Sequence, residues 1–536
     1  MKRLIRTAAL LAVASTAACS SGRTATVATG PAPSTDETPE QIPLYDDLGP
    51  YNRPIVTSSD EAQAYFDQGL LLMYAYGTDH AERSFRAAQA ADPECAACYW
   101  GEAWALSPYL NGGMAPGAER RAYAAIEKAK EHMAGASEVE RALIEAFEVR
   151  FDMEPTTDKR KQLDSLYART MAGVAERFPN DLDVQTLYAE SMMLLRPRRG
   201  SVDLEADDVK KILPVLEGVL AVDIRHPGSC HLYIHLVEAS QDPSLAEPCA
   251  DYLGDQIAIS HIRHMPSHIY MNVGRYSDAV RSNQRAWHAD QMADRGGPPG
   301  VYPSHNLHML LFAAVLDGQS AVAIQAARDL QKIQSSWGWY YPVTLSIFGR
   351  WDEVLALGAE PEDDFEAAMW RYARGMSHLR TGALDAAQAD LARIDELIAG
   401  VGDARFRFHD QSILLGIPRN MLAGEIAFAA GDVDGAIALL EMGKEIEDGL
   451  MYDEPEPWHV PVRQTLGAIL LAADRPAEAQ RVYEEALEDH ENSGWSLFGL
   501  EQALRAQGRD GEADRAHAEF EKHWARADIW LATSRF

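Results

Sequence analysis

The sequence predicts an all-α solenoid, an array of antiparallel helix pairs stacked along the chain. From about residue 60 to the end, alanine-rich segments with helical periodicity alternate with short turns that contain Gly or Asp-Pro. No alternation of apolar and polar residues typical of strands interrupts them. A chain of 536 residues is also longer than a single hydrophobic core usually organises, which favours several domains or a repeat array.

Small residues and an aromatic residue recur in the same order near both ends of the array. The first copy is Gly69, Ala81, Phe85, Ala88 and Pro93, and the second is Gly467, Ala479, Tyr483 and Ala486. The small residues allow two antiparallel helices to cross closely, the aromatic fills the gap behind them, and proline ends the second helix. This pattern resembles the tetratricopeptide repeat (TPR), a helix pair that recurs along a chain.

The resemblance extends over nearly the whole chain after the N-terminus. Weaker copies keep the spacing from Gly375 to Ala387 and from Gly424 to Ala436, and we count roughly eight to ten repeats. The resemblance implies a TPR-type right-handed superhelical solenoid whose first helices line a concave groove. Because most proteins of this family are scaffolds or peptide binders, it also implies a protein or peptide partner.

The charge of the chain excludes one class of partner. The chain has 49 Lys and Arg against 81 Asp and Glu, for a formal net charge of −32. Nucleic acids bind through Lys and Arg side chains that displace counterions, so we expect no nucleic-acid partner. The 5 cysteines are too few for a disulfide-built scaffold, and no apolar run after the N-terminus is long enough to span a bilayer.

Residues 1–19 have the organisation of a targeting signal. Basic residues precede an apolar stretch over residues 7–18, and Cys19 follows two alanines. This arrangement resembles a bacterial lipoprotein signal. The resemblance implies acylation of Cys19 and a lipid anchor in the cell envelope on the periplasmic side, and Ser20 is typical of outer-membrane sorting. Cleavage of an ordinary secretion signal, without acylation, is the alternative.

Composition and the repeat pattern divide the chain into five segments. They are the signal (1–19), a disordered tether (20–58), N-terminal TPR-like repeats (59–225), His-rich TPR-like repeats (226–330) and C-terminal TPR repeats (331–536). The tether is rich in Ser, Thr and Pro, and it has too few large apolar side chains to offset the entropy of ordering.

The histidines of the third segment fall into three clusters. They are His231 and His235; His261, His264 and His268; and His305 and His308. Residues three and four apart lie above one another on a helix, so each cluster occupies one helical face. Aligned on the repeat, the clusters follow the same stripe of three successive first helices. We therefore expect the imidazole rings to converge in the groove.

Convergent neutral imidazoles predict a transition-metal site, because histidine is the commonest ligand of such ions. We expect His231, His235, His264 and His268 as ligands, since each pair is one helical turn apart. His261, His305 and His308 would complete a second position or surround the first. Glu238, one turn after His235, would be an extra ligand or, if the protein is an enzyme that activates water or dioxygen, a general base.

The stripe contains no cysteine, which argues against a structural zinc cluster and leaves copper, zinc, iron or manganese open. The alternative is a non-catalytic envelope scaffold, whose polar groove binds a protein or peptide and whose histidines pair with acidic side chains.

Two pairs of cysteines require separate predictions. Cys95 and Cys98 begin a helix in a CAAC sequence and could form a disulfide, with redox activity as a further option. Cys230 and Cys249 fall on two helices of one pair. If the turn between the two helices lies at residues 241–244, the positions of the two cysteines along the paired helices differ by roughly six residues. We therefore expect no disulfide between them.

Overall fold

The computed structural model describes residues 42–46, 48–152, 156–197 and 200–536. The predicted signal, including the lipidation residue Cys19, and residues 20–41 of the predicted tether lie outside these described residues.

Helices make up most of the described chain. The first half contains α1 (Asp60–Tyr74), α2 (Thr78–Ala91), α3 (Ala96–Ala105), α4 (Ala118–His132), α5 (Glu138–Glu148), α6 (Thr157–Arg177), α7 (Leu182–Met193), α8 (Val209–Val222), α9 (Pro227–Val237), α10 (Glu247–Leu253), α11 (Ser260–His264), α12 (Pro266–Asn272) and α13 (Tyr276–Ala293). The second half contains α14 (Pro303–Leu316), α15 (Ser320–Ile333), α16 (Tyr340–Ile347), α17 (Trp351–Leu355), α18 (Asp364–Arg380), α19 (Leu384–Gly400), α20 (Gln411–Ala429), α21 (Val433–Asp448), α22 (Val462–Ala472), α23 (Pro476–Asp489), α24 (Gly494–Ala506) and α25 (Asp510–His523). Short 3-10 helices span Met133–Gly135, Pro243–Ala246 and Ser335–Trp337.

Consecutive helices pack against each other as antiparallel pairs, from α1 with α2 to α24 with α25. With α11 and α12 counted as one first helix, the described chain forms twelve pairs, more than the sequence predicts. The number predicted from the sequence is lower because the helix pairs in the middle of the chain lack the full set of small residues by which a repeat is recognised. The predicted all-α solenoid of TPR-type helix pairs is confirmed.

The repeated sequence pattern packs in the same way at both ends of the array. Gly69 on α1 and Gly101 on α3 flank the ring of Phe85, and a Cβ on either glycine would lie 2.6 or 2.4 Å from that ring. In the second copy, Gly467 and Gly499 flank Tyr483 with corresponding distances of 2.4 and 2.2 Å. The glycines are therefore required for the close approach of neighbouring helices.

The array coils tightly enough for distant pairs to meet. Helix α1 contacts α9, where the ring of Tyr74 fills the space beside Gly228. At the other end of the chain, Nε1 of Trp495 on α24 donates a hydrogen bond of 2.9 Å to the carbonyl of Val315 on α14. The central helices are thus covered from both ends of the chain.

The predicted tether reaches too far along the chain. Residues 20–58 are assigned to it by composition, yet in the structure Ile42 and Leu48 are buried. Arg53 forms ion pairs with Asp181 at 2.8 Å and with Asp183 at 2.7 Å. Few but well-placed apolar residues and one buried ion-pair network hold residues 42–46 and 48–58 against the helices, a contribution that average composition does not register.

Two non-helical segments of the C-terminal half lie over the central helices. One is a β-hairpin, in which β1 (Arg405–Phe406) pairs antiparallel with β2 (His409–Asp410), with Phe406 opposite His409. The other is the segment 449–461 between α21 and α22, which we call the strap. The repeat pattern alone predicts neither segment. No described helix is long and apolar enough to cross a membrane.

The cysteine predictions have different outcomes. Cys95 and Cys98 form a disulfide, and both residues are buried. Cys230 and Cys249 are also joined, with Cα atoms 5.1 Å apart, so the prediction that they stay apart is wrong. Helix α9 ends at Val237, earlier than expected, and the chain returns through a 3-10 helix. The turn is therefore centred near residue 240, which brings the two cysteines level.

Candidate metal centre

Three successive first helices carry the predicted histidine stripe. His231 and His235 lie on α9, while His305 and His308 lie on α14. The middle cluster spans two short helices, α11 and α12, because Pro266 has no backbone N–H to continue the first of them. The histidines of this stripe that come together at the centre of the array are buried or nearly so. The sequence predicts instead that they line an open groove.

The first three-histidine group consists of His231, His235 and His261. Nε2 of His231 lies 3.1 Å from Nε2 of His235. One ring nitrogen from each of the three residues lies within 4.8 Å of the others. Two ligands bound to one tetrahedral ion at zinc-like bond lengths are about 3.3 Å apart, so this spacing suits a shared metal ion.

The second group repeats this arrangement with His264, His268 and His305. Nε2 of His268 lies 2.7 Å from Nε2 of His264 and 3.4 Å from Nε2 of His305. These ligand atoms also fall within 4.8 Å of one another. In each group, two histidines one helical turn apart are joined by a third from a neighbouring helix segment.

The two groups are direct neighbours. The ring centroids of His235 and His268 are 6.1 Å apart, and those of His261 and His264 are 5.9 Å apart. The sequence predicts ligands by helical pairs and leaves His261 and His305 in a second position. The structure instead distributes all six histidines equally over two groups.

His308 lies outside both groups. Its ring packs against Trp337 and Tyr340, with centroid distances of 4.9 and 4.7 Å. Its Nδ1 lies 3.4 Å from Nη1 of Arg407. The residue follows His305 by less than a full turn, and this offset rotates its ring toward the next helix pair.

Contacts at the opposite ring nitrogen orient four of the six histidines, three of them through hydrogen bonds and His268 through an ion pair. Nδ1 of His231 lies 2.7 Å from the carbonyl oxygen of Tyr74, and Nδ1 of His264 lies 2.7 Å from Oδ1 of Asn283. A carbonyl oxygen accepts only, so each Nδ1 carries the proton and the Nε2 lone pair faces the group centre. This is the arrangement that fixes histidine for metal coordination.

Glu238 orients one histidine of each group. Its Oε1 lies 2.9 Å from Nδ1 of His235, and its Oε2 lies 2.6 Å from Nδ1 of His268. Both carboxylate oxygens face imidazoles from behind. This position favours a role in holding the ligands over the predicted roles of extra ligand or general base.

A second carboxylate reaches the centre from the strap. Oε2 of Glu454 lies 3.0 Å from Nδ1 of His268. Arg407 in the β-hairpin holds this part of the strap through a hydrogen bond of 2.8 Å to the backbone oxygen of Glu454 and an ion pair with Asp453. Glu238, His268 and Glu454 also lie close enough together to hold a cation. Such a cation would have to bind Nδ1 of His268, the nitrogen that already faces the Glu238 carboxylate.

Burial controls the protonation of most of these imidazoles. Desolvation lowers the pKa of His231, His261, His264 and His305 well below the usual value, so these rings are neutral at neutral pH. Burial also acts against the charged form of His268. There, however, the carboxylates of Glu238 and Glu454 outweigh it and raise the pKa to about 10. In the metal-free protein, His268 therefore donates Nε2–H to His264.

His261 is the most unusual of the six. Both of its ring nitrogens are buried and have no hydrogen-bond partner among the described residues. Buried polar atoms are nearly always satisfied, so such an imidazole indicates a ligand at this position.

Two tyrosines enclose His261. Tyr76 stacks on it at a centroid distance of 5.4 Å, and Tyr302 meets it edge-on at 5.1 Å. Both have left-handed backbone conformations, with φ of 59° and 57°. That conformation is unfavourable for bulky residues and is concentrated at functional sites. Neither tyrosine can be assigned to the site from the sequence, because nothing in their local spacing distinguishes them.

A cavity of about 450 Å³ opens beside the two groups. Its walls include His235 and His261 from the first group, and His268 and His305 from the second. A small molecule in the cavity can therefore reach both groups at once.

No family model matches the chain, and no curated protein matches it. Solved structures that it resembles include the APC/C hetero-tetramer Cut9-Hcn1, at 14% identity over 88% of this chain and 75% of that chain with a TM-score of 0.28. The apo form of the quorum sensor NprR from B. thuringiensis is 11% identical over 65% of this chain and 99% of that chain, with a TM-score of 0.29. The P58(IPK) TPR domain is 14% identical over 84% of this chain and 98% of that chain, with a TM-score of 0.21.

The fold and the site together define a class of protein. The chain is an α-solenoid of TPR-type helix pairs with two buried three-histidine groups at its centre.

Proposed function

We propose that this protein is a metalloprotein that binds two transition-metal ions, one in each three-histidine group. Three ring nitrogens would hold each ion and leave a further position open, the arrangement typical of catalytic sites rather than closed structural ones. The observation that carries the proposal is the convergence of three ring nitrogens in each group, with Nδ1 of four of the six histidines held from behind. An enzyme built on this centre would activate water or dioxygen.

Seven side chains have roles in the proposed metal centre. His231, His235 and His261 are the ligands of one ion, and His264, His268 and His305 are those of the other. Glu238 holds His235 and His268 in place.

The alternative function is a non-catalytic scaffold that binds a protein or peptide in the groove. The burial of the histidine stripe favours the metal centre, because a peptide would have to displace the strap and the β-hairpin to reach it. A partner would instead have to bind elsewhere on the solenoid.

Elemental analysis of the full chain, purified without a polyhistidine tag, tests the metal proposal. We expect two transition-metal ions per chain in the native protein and fewer in His261→Gln. This variant is chosen because the His261 ring makes no hydrogen bond that its removal would break. His288→Gln, on the exposed face of α13 and outside both groups, is the matched control and should keep both ions. A folded native chain without metal would overturn the proposal.

We also propose that the protein is exported and anchored in the cell envelope through acylated Cys19. The two disulfides support an oxidising compartment, where such bonds persist. Labelling with a fatty-acid analogue and fractionation of the bacterial host test this. The native chain should carry lipid and sediment with the outer membrane, whereas Cys19→Ala should do neither. Unlabelled native protein in the soluble periplasm would show an ordinary secretion signal instead.

A further inference from the structure

The buried charges around the two three-histidine groups identify the metal more narrowly, on the assumption that the proposed metal centre exists. We propose that the centre holds two copper ions, cuprous at rest, and that dioxygen binds between them from the adjoining cavity.

The ligands themselves supply no negative charge. All six are imidazoles, and among the residues that the structure describes no cysteine or carboxylate joins either three-histidine group. Imidazole suits copper, zinc, iron and nickel, and copper is the most tightly bound of the divalent ions in this series. Manganese and magnesium prefer oxygen ligands, which these groups do not offer. Charge must therefore be balanced by residues outside the ligand set.

Two carboxylates face the groups directly. Glu238 is 6% exposed and contacts one histidine of each group, and Glu454 contacts His268. Arg407 also approaches, but Asp453 neutralises it through an ion pair. The surroundings thus provide two negative charges for two ions.

Unbalanced charge in a buried site is strongly unfavourable. Two cuprous ions carry two positive charges, which the carboxylates of Glu238 and Glu454 cancel. Two divalent ions would carry four, and they would be balanced only if a further anion, such as hydroxide, bound to each ion. Charge balance therefore favours the monovalent pair over a pair of zinc ions.

The same balance holds when dioxygen binds. Each cuprous ion gives one electron, so dioxygen gains two electrons and two negative charges while both ions become cupric. No proton or further reductant is needed, and the net charge of ions plus dioxygen stays at two positive charges. The carboxylates consequently balance both states of the centre.

The geometry provides a path and a place for this reaction. Each ion with three imidazole ligands keeps an open position, and the cavity of about 450 Å³ touches two histidines of each group. The centroid separation of 6.1 Å between His235 and His268 brings the groups close enough for one small molecule to contact both ions.

Anaerobic titration of the metal-free full chain with cuprous ion, against bicinchoninate as a competing chelator, tests the inference. We expect two cuprous ions to be retained per chain. Admission of dioxygen should then consume one dioxygen molecule per pair of ions and produce a new absorption band. Parallel titration with zinc should give weaker retention of the second ion, because its charge is not balanced.

Variants that remove one buried negative charge distinguish the copper proposal from metal binding in general. Glu454→Gln removes one negative charge without removing a ligand, and we expect it to weaken retention of the second cuprous ion about tenfold or more. Glu491→Gln, on the surface, should not change it. Two tightly held zinc ions with no retention of cuprous ion would overturn the copper assignment alone. Absence of binding by any transition metal would instead remove the proposed function.

Discussion

Glu238 lies with one carboxylate oxygen 2.6 Å from Nδ1 of His268, on a different helix of the array. Its other oxygen accepts a hydrogen bond from His235, so one carboxylate fixes a ligand of each three-histidine group. This shared contact joins the two groups into one centre. The two sites should therefore respond together when this carboxylate is changed.

Replacement of Glu238 by Gln should lower the affinity for both metal ions about 10–100-fold. One end of the amide can still accept a hydrogen bond, but the other donates and conflicts with an imidazole N–H. Competition titrations with a chelator measure the affinity of each ion. Glu145→Gln, on the exposed face of α5, is the control and should match the native chain. A loss confined to one ion would show that the carboxylate does not couple the groups.

The stability of the metal-free protein should fall on both sides of a maximum near pH 6.5. The pKa of His268 rises to about 10 on folding, from about 6.5 in an unfolded chain. This group contributes stability that is fully present below pH 6.5 and is lost as the pH rises toward 10. The other buried histidines with lowered pKa act in the opposite sense: the unfolded chain binds protons that they do not, so stability is lost below pH 6.5.

Thermal unfolding across pH 5–10, with a chelator present, measures this profile. His268→Gln should reduce the loss on the alkaline side and keep the loss on the acid side. His490 and Glu447, whose pKa values are raised to about 9 and about 8, account for the alkaline loss that remains. If the variant and the native chain lose stability in parallel above pH 7, a group other than His268 causes the loss of stability on the alkaline side.

Arg53→Met should destabilise the fold by about 3–5 kcal/mol, because it removes the guanidinium that pairs with the buried carboxylate of Asp183. The loss should extend to the metal centre, since Asp183 accepts a hydrogen bond from Tyr74, whose backbone carbonyl orients His231. Urea unfolding and metal content are the measurements.

A surface ion pair provides the comparison for this substitution. Arg281, 57% exposed, pairs with Asp278, and Arg281→Met should cost less than about 1 kcal/mol. Equal effects of the two substitutions would contradict the structural importance of the buried network.

Gly101→Ala should destabilise the N-terminal pairs by about 1–3 kcal/mol, since the added Cβ would lie 2.4 Å from the ring of Phe85. Gly511→Ala, on α25, places its Cβ in open space and should stabilise the helix by about 0.5–1 kcal/mol. Equilibrium unfolding of both variants gives the comparison. A neutral Gly101 variant would mean that the close crossing of α1 and α3 at Phe85 can relax.

The sequence by itself determined the features that depend on neighbours along one helix. The spacing of Gly69, Ala81 and Phe85 reports a close crossing within a helix pair, and the structure confirms it. The histidine spacing likewise placed each cluster on one helical face. Both inferences work because helical geometry fixes which residues three and four apart share a side.

Only the tertiary structure decided how the histidines are grouped and what surrounds them. It assigns His261 to the pair on α9 and places Glu454, far along the chain, behind His268. It also brings Tyr76 against His261 and turns a predicted groove into a buried centre. These relationships depend on the curvature of the whole array, which accumulates from small rotations at each interface between helix pairs. A short stretch of sequence therefore cannot show this overall curvature.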